Sequence, residues 1–157
     1  MRLFGFTRYV SEHGILAFLD LLIKSYDGLT SIIERRHGVC LSKGADNLLA
    51  LFDRPEDAVS TAVDMNFWLR ERNTVRPPVE QLRVCIGVHH GEVIRLQDGV
   101  FGEVVNVASK VGEDVAGAEE ILTTRQTRDA VDETHRVEYS RSVTIGGDQI
   151  ELYRVVY

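Results

Sequence analysis

Residues 101–110 read FGEVVNVASK, and this stretch sets an amide, Asn106, among Val104, Val105, Val107 and Ala108. Four residues on stands Lys110, which helical geometry places on the same side as Asn106. The spacing predicts a helix to about Val111 with two polar groups on a segment otherwise built for burial. Just before it, Gln97-Asp98-Gly99 has the composition of a loop. Further upstream Leu82, Val84, Ile86 and Val88 alternate with Arg83, Cys85, Gly87 and His89, the period of a half-buried strand. Gly91 turns that strand, and Glu92 to Leu96 is expected to run back antiparallel.

Toward the N-terminus, residues 1–5 read as a short strand stopped by Gly5, with Thr7 as a cap and Gly14 as an interruption. From Ile15 the residues Phe18, Leu22, Tyr26, Leu29 and Ile33 recur at helical spacing and predict a long amphipathic helix. Arg35, Arg36, His37 and Gly38 close it. Val39–Ser42 and Asn47–Phe52 read as strands joined by a tight KGAD turn. Pro55 opens a second helix with Ala58, Ala62, Met65 and Leu69 on one face, ended near Arg76-Pro77-Pro78. Toward the C-terminus, Ile121–Thr123 predicts a strand and Thr124–Val131 a short helix. Two further strands flank Gly146-Gly147-Asp148, a hairpin turn. The order is ferredoxin-like βαββαβ with a C-terminal β-hairpin. Two helices on one face of a mainly antiparallel sheet is the economical packing, so the fold class is α+β. Residues 1–157 are expected to form a single domain.

With 157 residues and 44% hydrophobic content the chain has enough apolar surface for a core. Its formal net charge of -6 repels phosphate backbones, so no nucleic acid partner is expected. No apolar run approaches the roughly 20 residues that span a bilayer, and MRLFGFTRYV lacks a signal peptide's apolar region. Cys40 and Cys85, isolated among strand-type neighbours, read as buried free thiols in a reducing compartment. The expectation is a cytoplasmic chain without a membrane anchor.

Four segments together resemble the class III nucleotidyl (adenylate/guanylate) cyclase catalytic domain: LFGFT (3–7), GADNLLALF (44–52), RVCIGVHHGEV (83–93) and FGEVVNVASK (101–110). The last is similar to the family's Val-Asn-x-Ala-Ser-Arg helix motif. Order and spacing match over essentially the whole chain. The resemblance implies attack of a ribose 3′-oxygen on the α-phosphorus of a nucleoside triphosphate, with pyrophosphate leaving. Two carboxylates hold Mg or Mn for this in the family, and sites form between two subunits, in a homodimer or heterodimer.

Carried over residue by residue, the implied site is degenerate. The first metal carboxylate, three residues before the glycine of Gly-Phe-Thr, falls on Arg2. The second falls on Asp46. Phe6 and Thr7 of the motif would face substrate. The helix keeps Asn106 as a catalytic position, but Lys110 replaces the family's arginine, losing the planar fork that grips two phosphate oxygens. The hairpin's Lys-Gly position falls on Ile145-Gly146 or Gly146-Gly147, and neither supplies a lysine. The base-selecting positions hold Ser42 and Gly99, with Lys43 and Asp98 one residue away. A guanidinium in a metal pocket repels divalent ions, so metal binding is expected to be weak or absent.

Simpler readings stand beside these. Asn106 buttresses a buried helix while Lys110 reaches water; Asp46 is a turn aspartate; His89 and His90 point to opposite faces of a strand end. Glu113-Asp114 and Glu119-Glu120 are solvated acidic surface, and Arg2 pairs with Asp46 in place of metal. The functional expectation is a cyclase homology domain in cyclic-nucleotide signalling, impaired at Arg2 and serving as a regulatory or nucleotide-binding dimerisation module. The alternatives are an active cyclase and a chain that lends Asn106 and Lys110 to a metal-competent partner.

Overall fold

A computed structural model describes every residue except Gly5, Gln97 and Asp98, together with the side chains of Phe6, Thr7 and Arg8. The first strand, β1 (Arg2–Phe4), leads into helix α1 (Phe6–His13), and Gly14, at φ 84°, breaks the helix before α2 (Ile15–Arg35). The helical backbone begins at Phe6, so Thr7 lies inside α1 rather than ahead of it. A rim hairpin follows, β2 (Val39–Lys43) with β3 (Leu48–Leu51), and then helix α3 (Pro55–Asn73). Strand β4 (Arg83–Val88) precedes a second small hairpin, β5 (Ile94–Leu96) with β6 (Gly99–Phe101). Helix α4 (Glu103–Lys110) continues into a π-helical turn at Val111–Val115. Strand β7 (Ile121–Thr124), helix α5 (Arg125–Ala130) and the long strands β8 (Val137–Ile145) and β9 (Asp148–Val155) complete the order.

Five strands form the main sheet in the order β1-β4-β7-β9-β8, antiparallel except for the β4–β7 pair. Glu92–Leu96 was expected to return along β4. Both edges of β4 are already taken, by β1 and β7, so β5 pairs with β6 instead and Gly99 opens a strand rather than closing a loop. The β8–β9 hairpin turns on Gly146 and Gly147, at φ 64° and 100°. Two consecutive positive φ values make the primed turn whose twist matches its strands, and glycine adopts them without a Cβ penalty.

Residues on α2 and α3 cover one face of the sheet. Phe18, Leu22, Tyr26, Leu29 and Ile33 are all buried, as their periodicity predicts, against Val59, Met65 and Leu69 of α3 and Leu3, Val84 and Ile121 of the sheet. A smaller core lies on the opposite face, where Val107 and Val111 pack on Leu122 and Leu152. Neighbouring Ile121 and Leu122 therefore serve different cores, as strand alternation requires. The π turn crosses β4 so closely that a Cβ on Gly87 would fall 2.4 Å from the Gly112 nitrogen. Only a glycine pair permits that crossing. No helix among the described residues is long and apolar enough to cross a membrane.

Candidate functional site

The β2–β3 hairpin is hooked onto β1 rather than merged with the sheet. Leu3 N donates to Asp46 O at 2.6 Å, Leu48 N donates to Met1 O at 3.0 Å, and Arg2 bridges to Asn47. Tyr26 of α2 fixes the same turn by donating its hydroxyl to Asn47 O at 2.9 Å. Its phenol is pushed up to about 12, by burial first and then by the Asp46 charge, so it stays protonated as a donor. These backbone contacts set positions 2 and 46 side by side.

Arg2 Nε stands 3.5 Å from Asp46 Oδ2, with about 43% of the arginine side chain and 34% of the aspartate exposed. Arg2 Nη1 also donates to Glu113 O, at 3.1 Å, in the π turn. That contact carried no sequence signal, because its acceptor is a backbone carbonyl that any residue supplies. The guanidinium thus occupies the space beside the Asp46 carboxylate. Among the described residues no group of three His, Cys, Asp or Glu side chains converges to hold a metal ion. The donors present do not fit a pair of divalent ions.

Asn106 and Lys110 share a face of α4, and both are exposed. Only Val107 of that helix is buried, where it packs with Val111 on Leu122 and Leu152 of the interior strands β7 and β9. Among the described residues the Asn106 side chain has no hydrogen-bond partner, and Lys110 Nζ reaches Asp114 Oδ2 at 3.3 Å on the surface. Neither residue makes a hydrogen bond or ion pair with Arg2 or Asp46 among the described residues. Among the described residues these are two separate polar groups, each touching the π turn, Arg2 at Glu113 and Lys110 at Asp114. Ser42 and Lys43 are exposed on β2, opposite Leu49 and Leu48. Gly99 is half-buried at the start of β6. Asp98 and the side chains of Phe6 and Thr7 lie outside the described residues.

Two secondary readings change, and the opposite-facing histidines stand as expected. Glu120 is not solvated surface: Arg141 Nη1 and Nη2 donate to its Oε1 and Oε2 at 3.0 and 2.7 Å, and Gly117 N donates to Oε2 at 2.8 Å. Burial alone would raise its carboxyl, but these hydrogen bonds outweigh burial and hold it below the usual range. Strand pairing brings Arg141 to it from β8, which local sequence could not show. Cys85 is buried, but Cys40 is only half-buried, since β2 pairs with β3 alone. Burial raises both thiols. His89 turns inward, its Nδ1 2.7 Å from Thr124 Oγ1, while His90 is exposed.

The family model for the adenylate and guanylate cyclase catalytic domain matches residues 1–156. The chain belongs to this family. As a class III cyclase homology domain it is similar to serine/threonine-protein kinase pkn2 of Myxococcus xanthus, 31% identical over 137 residues. That match covers 85% of this chain and 16% of the kinase, so the chain corresponds to a small part of that relative. Among solved structures it resembles the guanylyl cyclase Cya2 (TM-score 0.84, 24% identity, 98% of this chain and 87% of that one). It also resembles the adenylyl cyclase CyaB from P. aeruginosa (TM-score 0.79, 19% identity, 99% and 90%). Identities this low carry the fold. The α+β architecture expected from the motifs is that of these cyclase domains.

Proposed function

We propose that residues 1–157 form one catalytically impaired cyclase homology domain, which acts as a regulatory or nucleotide-binding dimerisation module in cyclic-nucleotide signalling. The observation that carries this reading is the Arg2–Asp46 ion pair. Phosphoryl transfer asks little covalent chemistry of a protein and depends on aligned positive charge. The family draws part of that charge from Mg or Mn. Here the carboxylate at the expected place, Asp46, already faces the Arg2 guanidinium, whose charge repels divalent ions.

Losing one transition-state contact of this kind typically costs about 100–1000-fold in rate. Three groups differ from the family pattern, at Arg2, Lys110 and the Gly146-Gly147 turn. What remains is a fold whose relatives include a fungal guanylyl cyclase domain solved as a dimer and one from Catenaria anguillulae solved with GTP. The Myxococcus relative carries its matching stretch within a protein kinase, which supports a signalling context.

A second reading rests on α4. Asn106 is exposed and, among the described residues, unpartnered, so a metal-competent second subunit could complete a site with it and Lys110. Purified chain supplied with Mn²⁺ and each nucleoside triphosphate tests both readings by assay of cyclic product. The expected result is none from the chain alone. Turnover by the chain alone that Asp46→Ala abolishes would overturn the impaired reading. Turnover only with an added Asn106-deficient cyclase subunit would establish the second.

A further inference from the structure

A cavity of about 140 Å³, whose wall includes Met1 and Leu48 but neither Arg2 nor Asp46, is bounded by β3, α3, α4 and the end of β4. Its existence follows from small side chains meeting there: Ala50 from β3, Ala58 and Ala62 from α3, and Ala108 from α4. Leu48, Met65, Ile86 and Val104 supply apolar wall. An apolar cavity of about 150 Å³ accommodates one benzene ring, so the space is right for a single-ring molecule. At the border, Arg54 is balanced by Glu56, Nε to Oε2 at 3.6 Å, so no net charge selects an ion.

The polar residues of the wall, which include Arg54, His90 and Ser109, also include Thr61 and His89. The Thr61 hydroxyl is buried and, among the described residues, has no hydrogen-bond partner. Leaving such a group unsatisfied is destabilising. A helical threonine has two accessible χ1 rotamers, so either its hydroxyl or its methyl can turn toward the cavity.

His89 is half-buried, and its hydrogen-bond chain favours one tautomer. Thr127 Oγ1 donates to Val88 O at 3.1 Å, which commits that hydroxyl's proton. Thr124 Oγ1, 3.4 Å from Thr127 Oγ1, is then the hydroxyl with a proton free for that long contact. In this arrangement its oxygen accepts, and His89 Nδ1, 2.7 Å away, carries the proton and donates to it. Burial first, and the nearby His90 second, lower the imidazole's affinity for another proton. A neutral ring protonated at Nδ1 offers Nε2 as a lone-pair acceptor, and among the described residues Nε2 has no partner.

We propose that this cavity binds a small neutral single-ring hydrogen-bond donor of the phenol class, with its ring among the alanines and its hydroxyl donating to His89 Nε2. The site is independent of the nucleotide reading, since it shares neither Arg2, Asp46, Asn106 nor Lys110. Its walls include β3, which follows Asp46, and α4, which carries Asn106 and Lys110, so occupancy would bear on how those two groups are held.

Calorimetric titration of the protein with phenol and with anisole, its methyl ether, tests the proposal. Phenol is expected to bind in the millimolar range or tighter, with anisole about tenfold weaker, about 1.4 kcal/mol, for the lost donor. Ala58→Leu, which fills the cavity, is expected to abolish phenol binding while the circular dichroism spectrum is retained. Failure of phenol to bind, equal binding of anisole, or undiminished binding by folded A58L would each overturn it. The phenol–anisole comparison needs only the unmutated chain, so it decides the matter even if A58L does not fold.

Discussion

Replacing Arg2 by aspartate exchanges the guanidinium beside Asp46 for a second carboxylate and should recreate the cage that the family pattern calls for. Without metal the exchange is costly in three ways. The lost ion pair, about two-fifths exposed, is worth about 0.2–1 kcal/mol. The lost hydrogen bond to Glu113 O contributes about 1 kcal/mol. Two carboxylates about 4 Å apart repel by about 1 kcal/mol in water and about 4 kcal/mol at a protein-surface dielectric. The sum is roughly 2–6 kcal/mol, and a domain of this size loses about 2–4 °C of Tm per kcal/mol. The Tm of R2D in chelator should therefore fall by roughly 4–24 °C. Mn²⁺ at about a hundredfold its Kd restores about 2.7 kcal/mol by mass action, so Tm should climb back by roughly 5–11 °C. Arg2→Ala is expected to lose stability without gaining any response to Mn²⁺. An equal Mn²⁺-dependent rise in the unmutated chain, or no rise in R2D, would refute the reasoning.

Other expectations follow from the same contacts. Glu120→Gln should cost about 1–2 kcal/mol at neutral pH, because it removes a charge-assisted pair that is partly exposed. The folded-state Glu120 carboxyl is held below its ordinary value, so its stabilisation is present above the unfolded pKa and is lost as pH falls through the folded one. Denaturant titrations of both forms should converge only once pH has fallen below that lowered folded-state value, where Glu120 is protonated in the folded and the unfolded chain alike. Gly87→Ala drives a Cβ to 2.4 Å from the Gly112 nitrogen, and the backbone shift should cost about 1–3 kcal/mol or more by urea unfolding. Asn106→Ala and Lys110→Ala, both on exposed positions of α4, should each change stability by less than about 0.5 kcal/mol. A larger loss at Asn106 would revive the buttressing role for that amide.

Local pattern made much of the fold legible. The spacing Phe18, Leu22, Tyr26, Leu29, Ile33 marks the buried face of α2, and the glycine pair at 146–147 marks the hairpin turn. What local pattern could not show is which strand edges are free. Leu82–Val88 reads as a strand, yet nothing in it reveals that β1 and β7 flank it, which is why β5 was misassigned a partner. The same limit hid Arg141 from Glu120, since 21 residues and a strand crossing separate them. For the candidate site, the motif spacing identified Arg2 and Asp46, and the structure supplies the hydrogen bonds that bring them together. The Glu113 carbonyl that steadies Arg2 was invisible, as backbone acceptors always are in sequence. Asn106 seemed set in a buried run because valine is apolar in any setting. Only the packing shows that one valine of the helix, Val107, is fully enclosed.

The central claim is that a cation fills the place of a metal-binding anion. Electron paramagnetic resonance of Mn²⁺ titrated into the unmutated protein, with a nucleoside triphosphate present, reads this most directly. The expected result is a free-Mn²⁺ signal matching that of nucleotide in buffer, with R2D depleting it. Two Mn²⁺ ions bound per chain of unmutated protein would contradict the account.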